Sequence, residues 1–325
     1  QGKPQGFARI EIKGWPQAAG PLAMSSGGDG AKSSAARQQQ FKNQEHEKLL
    51  QSVWDLNFKE TGKLLGKNHI KYSEPLRKDD SGWNALFWAL GPTFGPQGDT
   101  PERVKMVEKV CTCIKSVKGV PSSILDELDT SGKAAVHWAA CQNLSACVAE
   151  LNRQGADVSV KGNADMAGFT PLHSAVSVDD ANLDNSSAVR ALIDCGADAN
   201  AEIGDGQYRG WTALHCAVSR GRVNAVRELV KDSVSRYAVL QDVANEHPPS
   251  FARALVDESN FSQTAHNKIR QCQVLVANAL REQNARKLRV LSGLPSDFDS
   301  SRLSDAGRTV KRSRRAEWGN GESSG

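Results

Sequence analysis

The segment that decides the fold is residues 168–176, which read GFTPLHSAV. Its pattern recurs in three other segments: GWNALFWAL at 82–90, GKAAVHWAA at 132–140 and GWTALHCAV at 210–218. A second apolar pattern follows each copy, and two of these patterns end in Gly-Ala-Asp, at residues 155–157 and 196–198. Repetition at a period of about 33 residues predicts a solenoid of stacked units.

Each copy has the residues that a pair of short helices needs. Thr170 followed by Pro171 predicts a helix start, because threonine caps a helix N-terminus and proline suits the first helical position. Gly155 and Gly196 follow the second helix of their copies, where a left-handed C-cap favours glycine. Each unit is therefore predicted to fold as turn, helix, turn, helix, with its apolar face buried by stacking on the next unit.

The motif Thr-Pro-Leu-His at residues 170–173, with Gly-Ala-Asp downstream, resembles the ankyrin repeat. The resemblance implies an all-α ankyrin-repeat solenoid of stacked helix-turn-helix units, and apolar periodicity at about 261–291 predicts additional C-terminal helices. The implied function is a scaffold or adaptor that binds a partner protein through the concave face and the turn tips. Because ankyrin surfaces differ where they bind, the resemblance does not name the partner.

We predict four segments along the chain. Residues 1–40, rich in Gly, Ser, Gln and Ala, are expected to be disordered. Residues 41–232 are the ankyrin-repeat domain, with an atypical unit at 46–75 and repeats at about 79–118, 129–161, 165–201 and 207–232. Residues 233–292 are a C-terminal helical extension that begins with a helix at 233–245, and residues 293–325 are a disordered basic tail.

Histidines at residues 137, 173 and 215 invite a catalytic interpretation. In ankyrin repeats the ring at this position bonds to the backbone of the neighbouring turn, so the resemblance implies a structural role. Phe87 stands at this position in the divergent copy, which a shared catalytic role would not tolerate. No phosphate-binding loop or nucleophile–base pair is visible, so we expect no enzyme activity, no cofactor and no metal. An enzyme activity outside the repeats is the least favoured alternative.

Two positions in each copy are predicted to contact the partner. One follows the opening glycine and the other follows the histidine, and both resemble positions that line the concave surface of ankyrin proteins. The eight residues at these positions are Trp83, Trp88, Lys133, Trp138, Phe169, Ser174, Trp211 and Cys216. Four of them are tryptophans, which are enriched in binding hot spots. The alternative is that these rings stack on neighbouring repeats and stiffen the tips.

The formal net charge of +4 is small, but its distribution is uneven. Residues 268–289 hold six Lys or Arg residues against one Glu, and Lys311, Arg312, Arg314 and Arg315 form a second cluster. This second cluster predicts a nuclear-import signal or a phosphate-contacting patch, against the alternative of a solvated tail. A nucleic-acid-associated or nuclear regulatory protein that uses the basic C-terminal helix and tail is therefore an alternative function.

Cysteine usage and hydropathy suggest the surroundings of the protein. Seven cysteines without a CxxC pair favour a reducing compartment over a disulfide scaffold. No apolar run approaches the roughly 20 residues that a membrane helix needs. We therefore expect a monomer that is cytoplasmic or nuclear, has a protein partner and makes no membrane contact.

Overall fold

A computed structural model describes residues 34–66, 76–79, 81–91, 98–117, 119–178, 185–231, 235, 239–240, 243–244 and 263–292. The α-helices bounded within these ranges are α1 (Ser34–Trp54), α2 (Phe58–Gly66), α3 (Ala85–Leu90), α4 (Pro101–Lys115), α5 (Ala135–Cys141), α6 (Ser145–Arg153), α7 (Pro171–Val176), α8 (Ser186–Asp194), α9 (Ala213–Ser219), α10 (Val223–Val230) and α11 (Gln263–Ser292). Short 3₁₀-helices at Ser122–Asp126, Ala164–Met166 and Gly206–Tyr208 precede α5, α7 and α9. The described residues form no β-strand.

The helices of the repeats pack in two layers. The first helices of the units, α3, α5, α7 and α9, contact one another in order, and so do the second helices, α4, α6, α8 and α10. The two helices of each unit also contact each other, while α1 lies against α2 and α3. Every residue of α5, α7 and α9 is buried. This arrangement confirms the predicted all-α ankyrin-repeat solenoid.

The second helices of the repeats end in the predicted left-handed conformation. Gly155 has a φ of +93°, and the next residue, Ala156, donates its backbone N–H to the carbonyl of Leu151 at 3.0 Å. Gly196 repeats this geometry with a φ of +90°. The bond satisfies a carbonyl that the end of the helix would leave unpaired. Asn143, with a φ of +58°, adopts the same conformation after α5.

The last helix closes the end of the repeat stack. A Cβ atom placed on Gly221, in the turn between α9 and α10, would lie 3.1 Å from the Cβ atom of Lys268 and 3.5 Å from the backbone nitrogen of Ile269. Beyond this contact, Cys272 and Val276 are 0% and 1% exposed. The predicted C-terminal helix is thus confirmed, with bounds 263–292, and its first half caps the last repeat.

The chain divides into two compact units, residues 1–279 and residues 280–325. The structure describes residues 280–292 of the second unit, which are the end of α11. The basic tail predicted for 293–325 lies outside the described residues, as do Lys311, Arg312, Arg314 and Arg315. Of the helix predicted at 233–245 the structure describes five residues, and residues 239–240 and 243–244 are helical.

The structure departs from the prediction at the N-terminal side. Helix α1 begins at Ser34, inside the segment 1–40 for which the composition predicts disorder. Residues 34–40 read SAARQQQ, and alanine, arginine and glutamine all have high helix propensity, which accounts for a helix in this part of the segment. The rest of that segment lies outside the described residues.

Candidate binding site at the repeat tips

The turns that open the repeats share one hydrogen bond. A backbone N–H donates across each tip to a carbonyl oxygen: Asp79 to Trp83 (2.9 Å), Asp129 to Lys133 (2.9 Å), Gly162 to Phe169 (2.8 Å) and Ile203 to Trp211 (2.8 Å). The bonded pairs are four residues apart in the first two tips, but seven and eight residues apart in the third and fourth. The last two tips therefore contain extra residues, which form the 3₁₀-helices Ala164–Met166 and Gly206–Tyr208.

A carboxylate organises each of the first two tips, half-buried Asp79 in the first and buried Asp129 in the second. Asp129 Oδ1 accepts the backbone N–H groups of Ser131 at 2.9 Å and Lys133 at 3.0 Å. Its other oxygen, Oδ2, accepts the indole N–H groups of Trp83 at 3.0 Å and Trp138 at 2.8 Å. One aspartate thus shapes its own turn and also holds tryptophans of two successive repeats.

The tryptophans of the first two repeats form a continuous cluster. Trp83 meets Trp138 edge to face, with the ring centroids 5.1 Å apart, and Trp88 at 6.3 Å. Trp54 of α1 extends the cluster, at 5.7 Å from Trp88. Such edge-to-face pairs add about 1 kcal/mol each beyond the area that they bury. Trp83 and Trp138 are 3% and 1% exposed, so these two rings belong to the core, while Trp54 and Trp88 at the edge of the cluster are partly buried.

Lys133 lies inside this cluster and not on the surface. Its side chain is 1% exposed, and its Nζ atom lies 4.5 Å from the ring centroid of Trp138, in a cation–π contact. The Nζ atom has no hydrogen-bond partner among the described residues. Because burial penalises the charged form, the pKa of Lys133 is lowered, although the nearby Cys141 and Asp129 act in the opposite direction.

The eight predicted partner-contacting residues differ in how far the structure buries them. Six of them are buried: Trp83, Lys133, Trp138, Phe169, Ser174 and Cys216. The physical reason is that neighbouring repeats pack on these side chains, as the stacking alternative supposed. Trp88 and Trp211 are only partly buried. A direct contact with a partner stays a prediction for these two residues.

The histidines of the motif join successive repeats. His137 Nδ1 accepts the backbone N–H of Ala134 at 3.1 Å, and His137 Nε2 lies 2.9 Å from the carbonyl oxygen of Phe169 in the next tip. His173 makes the same contacts with Thr170 at 3.2 Å and with Trp211 at 3.3 Å. Since Nδ1 accepts, the pattern assigns the proton to Nε2.

Burial of these rings favours their neutral form. Desolvation lowers the pKa of His137 to about 4, although the bond to Phe169 opposes this shift. The pKa of His173 is likewise lowered to about 4, with desolvation as the main cause. The structural role expected for the motif histidines is confirmed for His137 and His173, because each of these rings bonds to backbone groups of its own turn and of the following turn.

The third and fourth tips support each other at the surface. Gly204 donates its backbone N–H to the carbonyl of Ala167 at 3.1 Å, which links the two extended tips. In the fourth tip the rings of Tyr208 and Trp211 lie 5.0 Å apart. Both side chains are half-buried, while Arg209 beside them is exposed. The fourth tip thus presents an aromatic pair and a cation, and a backbone hydrogen bond holds this tip against the third.

Sequence reasoning missed Tyr208 and Arg209 as candidate binding residues. The signal for the extended tip was present, because His173 and His215 are 42 residues apart while the repeat period is about 33. The spacing shows that residues are inserted between these two copies. It does not show which inserted side chains pack together.

Among the described residues no group of three or more His, Cys, Asp or Glu side chains is placed to hold a metal ion. Desolvation raises the pKa of the buried thiols, to about 11 for Cys141 and about 12 for Cys216. Such thiols are poor nucleophiles at neutral pH.

Comparison with known families agrees with this architecture. Residues 106–203, 136–239 and 177–266 match the family model for ankyrin repeats, in three overlapping copies. The chain therefore belongs to the ankyrin-repeat family. Ankyrin repeats are in general protein–protein interaction modules and are typically non-enzymatic. No curated protein matches the chain. No helix in the described ranges is long and apolar enough to cross a membrane.

Proposed function

We propose that this protein is a scaffold or adaptor that binds a partner protein through the extended tip of its fourth repeat. The observation that carries the proposal is the contact between the rings of Tyr208 and Trp211, which are tilted at 54° with their centroids 5.0 Å apart, on a tip that is longer than those of the first two repeats. Half-buried aromatic rings of this kind are typical of binding hot spots, since they supply a large rigid contact area at small entropic cost.

The charge and support of the tip favour the same conclusion. Arg209, which is exposed, lies between the two aromatic residues in sequence, and arginine is also enriched in hot spots. The bond from Gly204 to Ala167 holds the tip against the preceding one, so that less conformational freedom is lost on binding.

The first helices of the later repeats are poorer candidates for the same contact. All residues of α5, α7 and α9 are buried, including Trp138, Ser174 and Cys216 of the predicted set. A partner could touch these side chains only after they had been uncovered. We therefore assign the binding surface to the tips and no longer to the first-helix positions.

A shortened tip tests the proposal in the full-length chain. Deletion of residues 206–209 joins Asp205 to Gly210 and leaves Ile-Gly-Asp-Gly-Trp, a tip of the same length as Asp79–Trp83. The deletion should preserve the fold, as thermal melting would verify. Proteins captured from lysate by the unmodified chain should be lost with the deletion and with Tyr208→Ala/Trp211→Ala.

The matched control is Trp54→Ala, which alters a half-buried tryptophan outside the set of predicted partner contacts. It should retain the captured proteins with unchanged affinity in titrations of the purified partner. Undiminished binding by the folded deletion variant would rule out the fourth tip as the binding surface.

A further inference from the structure

The net positive charge of the protein lies in its second compact unit. Residues 280–325 contain 10 of the 41 Lys and Arg residues and 6 of the 37 Asp and Glu residues. The second unit therefore holds the entire formal net charge of +4, and residues 1–279 are balanced. Within the described part of this unit, Arg281, Arg286, Lys287 and Arg289 stand against the single acidic residue Glu282. A surface with this excess attracts an anionic partner.

The same segment carries unusually exposed apolar side chains. Leu288, Val290 and Leu291 are 66%, 81% and 74% exposed. Val274, which is 53% exposed, is the other large apolar side chain with high exposure among the described residues, and it also lies on α11. Leu288 and Leu291 lie one helical turn apart, and exposed apolar groups that adjoin on a surface mark interaction sites. Residues 280–292 thus combine two features, positive charge and exposed aliphatic groups.

The exposed apolar side chains do not share one face of the helix. Each residue advances about 100° around an α-helix, so Leu288 and Leu291 lie about 60° apart. Val290 lies about 160° from Leu288 and about 100° from Leu291. A flat surface could cover the two leucines but would leave Val290 in water. A groove that closes on the helix from two sides could cover all three.

We propose that residues 280–292 dock into an acidic, apolar-lined groove of a partner protein. The groove would bury Leu288 and Leu291 on one side and Val290 on the other, while its carboxylates would face the arginine and lysine side chains. This contact is separate from the one proposed for the fourth tip.

Other classes of binding partner fit the observations less well. Nucleic acid would satisfy the positive charge but would leave exposed leucine and valine against a polar backbone. A second copy of the chain would bring two positively charged segments together. An anionic membrane surface could contact the cations and the two leucines, but it would cover only one face of the helix and leave Val290 in water.

Binding of the full chain to calcium-loaded calmodulin tests the proposal, because this acidic protein closes a Met-rich apolar groove around target helices. We expect a Kd near or below about 10 µM by calorimetry, and no binding to calcium-free calmodulin, whose groove is closed. Three variants separate the contributions: Leu288→Ser/Leu291→Ser, Val290→Ser, and Arg286→Gln/Lys287→Gln/Arg289→Gln. Each should weaken binding about tenfold or more.

The matched control is Arg270→Gln/Val274→Ser, which changes an exposed cation and an exposed apolar residue earlier on α11 and should bind like the unmodified chain. Parallel titrations use phosphatidylcholine vesicles with about 30% phosphatidylserine and a duplex DNA of about 20 base pairs. The proposal is overturned if calmodulin does not bind, or if Val290→Ser binds as tightly as the unmodified chain. Tighter binding to vesicles or DNA than to calmodulin would also overturn it. Since all variants retain residues 203–211, none of these outcomes bears on the fourth tip.

Discussion

Trp83 and Trp138 donate their indole N–H groups to the same carboxylate oxygen, Oδ2 of Asp129, at 3.0 and 2.8 Å. The two tryptophans belong to successive repeats, and their rings meet edge to face. Asp129 is therefore the point at which the first two tips are joined. A residue that looks like an ordinary turn former in the sequence stabilises the interface between repeats.

Asp129→Ala should lower the free energy of unfolding by about 3 kcal/mol, since it leaves buried indole and backbone N–H groups without an acceptor. Urea unfolding followed by tryptophan fluorescence measures the change. Asp157→Ala is the control, because Asp157 is exposed and accepts one backbone bond, from Ser159 at 2.8 Å. The control should change stability by less than about 1 kcal/mol. Equal effects of the two substitutions would contradict the role given to Asp129.

Lys133→Met should stabilise the protein at neutral pH, because methionine fills similar volume without a buried ammonium group that lacks a hydrogen-bond partner. The pKa of Lys133 is lowered in the folded state, so the unfolded chain binds more protons below the ordinary lysine pKa. The stability gained by Lys133→Met over the unmodified chain should therefore shrink as pH rises through the folded-state pKa of Lys133. Urea titrations at pH 7 and about pH 9.5 compare the two conditions, and a variant that is less stable at both would contradict this expectation.

Mild acid should weaken the repeat stack through the buried histidines. The folded-state pKa of His137 is about 4, below the ordinary 6.5, so the unfolded chain takes up protons first and stability falls as pH drops below 6.5. The loss at pH 5 is about 2 kcal/mol for this ring. His137→Gln keeps polar atoms at the site but does not titrate.

The test is the difference in unfolding free energy between the unmodified chain and His137→Gln. This difference should shrink by about 2 kcal/mol between pH 7.5 and pH 5. Other titrating groups cancel in the comparison. A difference that stays constant over this range would mean that His137 does not titrate as inferred.

Two glycines with similar backbone angles should respond differently to alanine. At Gly155 (φ +93°) an added Cβ atom meets nothing within 4 Å, so Gly155→Ala should cost about 1 kcal/mol from backbone strain alone. At Gly132 (φ +78°) the Cβ atom would lie 2.0 Å from Asn163 Oδ1, in the next tip. Gly132→Ala should therefore cost more than Gly155→Ala in thermal or urea unfolding. Equal costs would show that the tips are not packed as described.

Local chemistry explains which parts of the fold could be predicted from the sequence. Helix starts at residues such as Thr170, helix ends at Gly155 and the bonds of His137 depend on neighbours within one repeat or the next. The burial of Trp83 could not be read in this way, because its acceptor, Asp129, lies 46 residues further along the chain. A tryptophan at a turn tip looks the same in sequence whether it faces water or a neighbouring repeat.

The extended fourth tip illustrates a second limit. The spacing of the histidines reveals inserted residues, but the pairing of Tyr208 with Trp211 depends on how the inserted turn folds back. The bond from Gly204 to Ala167 in the preceding tip contributes to that fold, and nothing in the sequence of either tip alone specifies it.

The most direct test of the proposed function is hydrogen–deuterium exchange of the full chain, alone and with its captured partner. We expect the partner to slow exchange in residues 203–211, with smaller effects in 162–169. Exchange in the first two tips, at 79–83 and 129–133, should stay unchanged. Protection of these first two tips without protection of 203–211 would contradict the assignment of the binding surface to the fourth tip.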